Sequence, residues 1–136
     1  MIVDSSAIIS ILKKESGFER LVRALVDGRG HLMSTTNYLE CSQVIDSNRD
    51  PVLSRELAIL LHRLNITVVP FTRSQADIAR KAFNECGKGM NPRSRLNHCD
   101  CVAYALAKET SEPLLLVGND FIHTDIIPAL DPPIEV

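Results

Sequence analysis

The chain has 136 residues, 45% of them hydrophobic and 24% charged, with a net charge of −2. That length buries a proper core in one domain, and the composition excludes a disordered chain. No apolar run approaches the roughly 20 residues that span a bilayer, and a negative balance excludes non-specific nucleic-acid binding through a basic field.

The opening Ile2-Val3 reads as a short apolar strand that stops at Asp4-Ser5-Ser6. An acid at position 4, with Lys13-Lys14 after the apolar stretch, inverts the order of a secretory signal, so the expected location is cytoplasmic. Ala7, Ile8, Ile11 and Leu12 recur at helical spacing, so the strand runs straight into a helix. Phe18 to Leu25 continues as a second amphipathic helix, closed by Gly28 and Gly30. His31 to Ser34 is a second strand, and Thr35 or Thr36 caps a helix through Ile45 that carries Glu40.

Asp50-Pro51 opens a further helix with a broad stripe of Leu53, Leu57, Leu60, Leu61 and Leu64. Such a stripe serves the core or a self-association face. Ile66 to Val69, stopped by Pro70, is a third strand, and Thr72 or Ser74 opens the next helix, which ends near Gly87. The irregular stretch from Lys88 to Asn97 carries Lys88, Arg93 and Arg95. Asp100 to Glu109 is helical, Leu114 to Val117 is a fourth strand, and Ile126 to Ala129 is a candidate fifth, weakened by Pro128. The tail Asp131-Pro132-Pro133 is expected to be extended and loosely held. Strands alternating with helices define an α/β fold with a parallel sheet.

The cysteines at 41, 86, 99 and 101 are expected as free thiols in a cytosolic chain. His98, Cys99 and Cys101 lack the spacing and the second ligand pair of a zinc site.

Four acids fall at comparable joints. Asp4 and Asp120 follow strands, Glu40 sits on the helix after a strand, and Asp100 opens a helix after the basic loop. Ligands of open parallel sheets bind outside the carboxyl ends of the strands. Two unit charges about 4 Å apart repel by roughly 4 kcal/mol at an effective dielectric near 20. Four converging carboxylates therefore call for protonation or a cation, and hard oxygen ligands suit Mg²⁺ or Mn²⁺. Asp125 is a candidate for a second metal or for a metal-bound water. Ser6 is a candidate partner of Asp4.

The opening Met-Ile-Val-Asp-Ser-Ser-Ala, the stretch Leu96 to Ala107, and Gly118-Asn119-Asp120-Phe121 followed by Thr124-Asp125-Ile126 resemble motifs of PIN-domain ribonucleases, specifically VapC-type toxins of toxin–antitoxin pairs. His98 and Cys99 stand where that motif more usually has an aromatic and a small residue. The resemblance covers the whole chain. It implies one PIN domain over residues 1–136, a three-layer α/β/α fold with a central parallel sheet of four to five strands, and endoribonuclease activity dependent on Mg²⁺ or Mn²⁺. It also implies a homodimer and inhibition by a cognate antitoxin.

By motif position Asp4, Glu40, Asp100 and Asp120 match the family's acidic residues, with Asp4, Asp100 and Asp120 on the metal. Hydrolysis by metal-activated water predicts 5′-phosphate and 3′-hydroxyl ends. Lys88, Arg93 and Arg95 are candidate RNA contacts. With aromatic content at 4%, base choice is expected to rest on hydrogen bonding or shape rather than stacking. The alternative is a non-catalytic PIN-like module that binds RNA or protein. Receiver-like and haloacid-dehalogenase-like readings fail, because Pro70-Phe71-Thr72 holds no acid after the third strand and Ser6 stands where a second Asp is needed.

Overall fold

The computed structural model describes residues 1–136. In chain order the elements are β1 (Ile2–Val3), α1 (Ser5–Lys13), α2 (Phe18–Asp27), β2 (His31–Ser34), α3 (Thr35–Asp46), α4 (Pro51–Arg63), β3 (Ile66–Val69), α5 (Arg73–Cys86), α6 (His98–Thr110) and β4 (Leu114–Leu115). The four strands form one parallel sheet in the order β3-β2-β1-β4.

Alternation along the strands separates two apolar layers. Ile2 and Leu114 pack with Ala79, Ala82 and Leu106 under α5 and α6. Val3, Met33 and Leu115 face the other way, onto Ile8, Leu21, Ile45 and Leu57. A period of two on a two-sided sheet produces the α/β/α sandwich. The leucine stripe of α4 serves this core: Leu57 and Leu61 are buried, and Leu53, Leu60 and Leu64 pack against the same layer.

Caps set the helix ends. Asp4 caps α1 and Asp50 caps α4 ahead of Pro51 at the first helical turn. Thr72 caps α5. The cap of α3 is Ser34 rather than Thr35 or Thr36, its hydroxyl accepting from the Thr36 N–H. α6 starts at His98, two residues before Asp100, because Asn97 is its cap.

The expected fifth strand is reduced to backbone hydrogen bonds from Leu114 N–H to Ile127 C=O (2.9 Å) and from Ala129 N–H to Leu114 C=O (2.9 Å). Pro128 offers no N–H to extend that ladder. The tail is not loosely held. Gly118 N–H donates to Ile134 C=O at 2.9 Å, Arg20 Nη2 donates to Pro132 C=O at 2.7 Å, and Ile134 is buried in the α1–α4 layer. A buried apolar side chain two residues before the last outweighs the freedom of the tail.

Candidate functional site

The direction of the chain reverses at β1. Strands β2 and β3 follow on one side of it, and β4 returns on the other. The crevice beyond the carboxyl ends of β1 and β4 is the topological switch point where open α/β sheets bind ligands.

Asp4 stands at that point. It ends β1, its N–H donates to Leu115 C=O at 2.9 Å, and it is 4% exposed. Its Oδ2 accepts from the Ser6 N–H (3.0 Å) and the Ser6 hydroxyl (2.5 Å). The same hydroxyl accepts from Val117 N–H at 3.0 Å, so Ser6 ties Asp4 to the segment leaving β4. Oδ1 of Asp4 is buried with no hydrogen-bond partner.

Two further acids close on it. The hydroxyl of Ser5 donates to Glu40 Oε1, bridging α1 to α3. Asp100 belongs to a capping box: Asn97 Oδ1 accepts from the Asp100 N–H at 2.8 Å, and Asp100 Oδ2 accepts from the Asn97 N–H at 2.9 Å. Burial pushes the Asp4 carboxyl up to about 6, against the lowering pull of the Ser6 hydrogen bonds, and repulsion from Glu40 adds to the rise. Burial pushes Asp100 up to about 7, with repulsion from Asp4, Asp120 and Glu40 behind it. Asp4, Glu40, Asp100 and Asp120 therefore share one electrostatic field. Asp120 is the exposed member.

As placed, no three His, Cys, Asp or Glu side chains gather at metal-ligating distance. The chemistry of the group nevertheless fits a divalent cation. The donors are carboxylate oxygens, one buried oxygen is unpartnered, and the electrostatic cost of the pair Asp4 and Asp100 is what a cation relieves.

Two residues enter the site that the sequence did not single out for it. Asn37 is fully buried on α3, one turn before Glu40, and its Nδ2 donates to Cys99 C=O at 3.0 Å. It locks the helix of Glu40 to the first turn of α6. Its only sequence signal is the three-residue spacing from Glu40, which puts both on one helical face. The Cys99 thiol faces the acids, and burial followed by Glu40, Asp4 and Asp100 pushes it up to about 12.

Asp125 does not join the acids. It accepts from Tyr104 Oη at 2.8 Å and from Lys108 Nζ at 2.7 Å. Lys108 lies eight residues beyond Asp100 along α6, about 12 Å at a rise of 1.5 Å per residue. The pairing with Lys108 and Tyr104 holds Asp125 below the usual carboxylate range. Lys88, Arg93 and Arg95 are exposed on the loop between α5 and α6, and none of them forms an ion pair.

The chain and its fold match known proteins. The PIN domain family matches residues 1–127. Ribonuclease VapC28 of Mycobacterium tuberculosis is 46% identical over 131 residues, which cover 96% of this chain and 98% of that protein. Ribonuclease VapC of Mycolicibacterium smegmatis is 42% identical over 126 residues, 93% of this chain and 97% of that protein. Among solved structures, the toxin VapC20 of Mycobacterium tuberculosis, which cleaves the sarcin–ricin loop, superposes with a TM-score of 0.71 at 12% identity, covering 93% of this chain and 95% of its own. VapBC2 of Rickettsia felis, bound to a promoter DNA fragment, gives 0.65 at 14% identity, covering 99% and 96%. The chain belongs to the VapC ribonucleases of the PIN-domain family. Its activity is that of a ribonuclease, a hydrolase of RNA. No helix is long and apolar enough to cross a membrane.

Proposed function

We propose that this ribonuclease is the toxin of a toxin–antitoxin pair and that it cuts RNA internally with Mg²⁺ or Mn²⁺ at the acid cluster. The observation that carries this reading is Asp4 Oδ1, a buried carboxylate oxygen without a partner, set among like charges. A buried anionic oxygen left this way is costly unless a cation meets it.

Asp4, Asp100 and Asp120 hold the ion, and Glu40 completes the set or orients the attacking water. The ion, when bound, lowers the pKa of water and screens the charge of the phosphodiester. Ser6 keeps Asp4 in one rotamer through its hydrogen bond, and Ser5 does the same for Glu40. Asn37 fixes the separation of α3 and α6. The free cations Lys88, Arg93 and Arg95 draw the RNA backbone towards Asp100. Water attack leaves 5′-phosphate and 3′-hydroxyl ends.

The cognate antitoxin sets an Arg against Asp4 and Asp100, where a charge-assisted pair displaces the ion. The toxin is a homodimer. The exposed apolar Leu39 and Val52 on α3 and α4 are available to that contact.

The test incubates purified protein with total RNA and Mn²⁺, with and without chelator, beside Asp4→Asn. Chelator-sensitive cuts with 5′-phosphate ends are expected from the parent protein only. Absence of such cuts across varied RNAs, or cuts ending in a cyclic phosphate, refutes the metal-water reading.

A further inference from the structure

At the end of α6 that carries Asp100, on the side facing α5, lies a groove that the reaction itself does not use. α5 runs antiparallel to α6: Gln75 Nε2 donates to Glu109 Oε2 at 2.7 Å near one end, and Gly87 pairs with Leu96 at the other. Between the two helices is an apolar groove of about 500 Å³, within the range of small-molecule sites. Its floor is Ala79 and Cys101, its aromatic walls are Phe71 and Phe83, and its polar members are Arg80 and His98. His98, Cys101 and Val102 share the α5-facing side of the first turns of α6, and Asp100 sits on the same first turn but on the other side of the helix, so the groove and Asp100 lie at one end of α6.

The Phe83 ring is built in rather than incidental. It stays 40% exposed although it is a large apolar group. Gly87 backs it: a Cβ at position 87 would lie 2.3 Å from Phe83 Cδ2 and 2.4 Å from the Phe83 carbonyl oxygen. Only glycine permits that approach, which fixes one edge of the ring and leaves its other surface to the groove. Beyond Gly87 the chain continues at once into the loop of Lys88, Arg93 and Arg95, and Arg80 sits on the groove itself. None of these four cations has an acidic partner. An aromatic wall next to unpaired cations is complementary to a nucleotide, which offers a π-face and a phosphate together.

We propose that this groove is a base-binding subsite of the ribonuclease: it takes one unstacked nucleobase of the RNA, stacked on Phe83, across the first turn of α6 from the phosphate presented to Asp100. Phe71 closes the apolar side, and Arg80 and His98 supply hydrogen-bond donors to the base edge or its phosphate. The inference rests on the ribonuclease reading above. Although aromatic content is only 4%, two of the chain's four phenylalanines, Phe71 and Phe83, line this one groove.

The test uses the full chain and single-stranded 12-nucleotide RNA of mixed sequence. Binding is read by fluorescence anisotropy in chelator, and cleavage is read with Mn²⁺. Phe83→Tyr keeps the π-face, Phe83→Leu keeps the bulk without it, and Phe83→Ala removes both. Base-on-ring stacking predicts that Phe83→Leu and Phe83→Ala weaken RNA binding about 10-fold and raise KM with kcat little changed. Phe83→Tyr should stay within about 2-fold of the parent on the same reasoning. Circular-dichroism melts and light scattering on each variant report folding and oligomeric state.

If the parent cuts RNA and Phe83→Leu binds it as the parent does, the subsite is overturned and the ribonuclease reading stands. If Phe83→Leu changes only the oligomeric state or antitoxin binding, the groove is a protein contact and the proposal is likewise overturned. If the parent neither binds nor cuts RNA, the ribonuclease reading fails first.

Discussion

Replacing Asp4 by Asn should stabilise the metal-free protein at pH 8 and by only about half as much at pH 5. The Asp4 carboxyl rises from 3.8 to about 6 on folding, chiefly through burial. At 1.36 kcal/mol per pH unit, the ionised form costs about 3 kcal/mol of folding free energy once pH exceeds 6. The sign follows from proton counting. Between pH 3.8 and about 6 the folded chain still holds a proton that the unfolded chain has released, so stability falls as pH rises through that window. Asn keeps an oxygen for the Ser6 donors and puts an uncharged amide where Oδ1 has no partner. For a chain of this size 3 kcal/mol corresponds to a Tm difference on the order of 10 °C. The assay is a pair of thermal melts in EDTA at pH 5 and pH 8, read as variant minus parent, so that most other titrations cancel. Millimolar Mn²⁺ at pH 8 should raise the parent's Tm and leave Asp4→Asn unmoved. A variant destabilised equally at both pH values would falsify the electrostatic account of the site.

Ser6→Ala should cost about 1–3 kcal/mol by leaving the Val117 N–H unpaired. It should also lower Mn²⁺ affinity about 10- to 100-fold by freeing Asp4, as read by titration calorimetry. Asp125→Asn should lower stability by less than about 1 kcal/mol, because its pair with Lys108 is exposed, and RNA cleavage should persist. Loss of cleavage there would return Asp125 to the site. Ile134→Ala should cost about 2–5 kcal/mol in denaturant melts, since the side chain fills the α1–α4 layer. A cost below 0.5 kcal/mol would mean that the tail is dispensable.

The strands and helices were legible because each rests on a local rule. Ile66–Val69 and His31–Ser34 were bounded by turn chemistry, and Asp50-Pro51 and Thr72 are caps with a fixed geometry. Asp4 was legible for the same reason, as an acid that breaks an apolar strand. The α6 start was misplaced by two residues because Asn97 and Asp100 are both good cap residues, and only the reciprocal hydrogen bonds of the capping box decide between them.

Other features depend on packing between segments far apart in the chain. The pairing of Asp125 with Lys108 hides in a sequence where Thr124-Asp125 looks like part of an acid motif. Asn37 meets Cys99 across 62 residues. The groove of Phe71, Phe83 and His98 exists only because α5 lies antiparallel to α6. Nearest-neighbour chemistry along the chain set where backbone elements begin and end, and which acids end up at strand termini. Which side chains then share a pocket, an ion pair or a field depends on strand order and helix direction, which are set by burial of two whole layers at once.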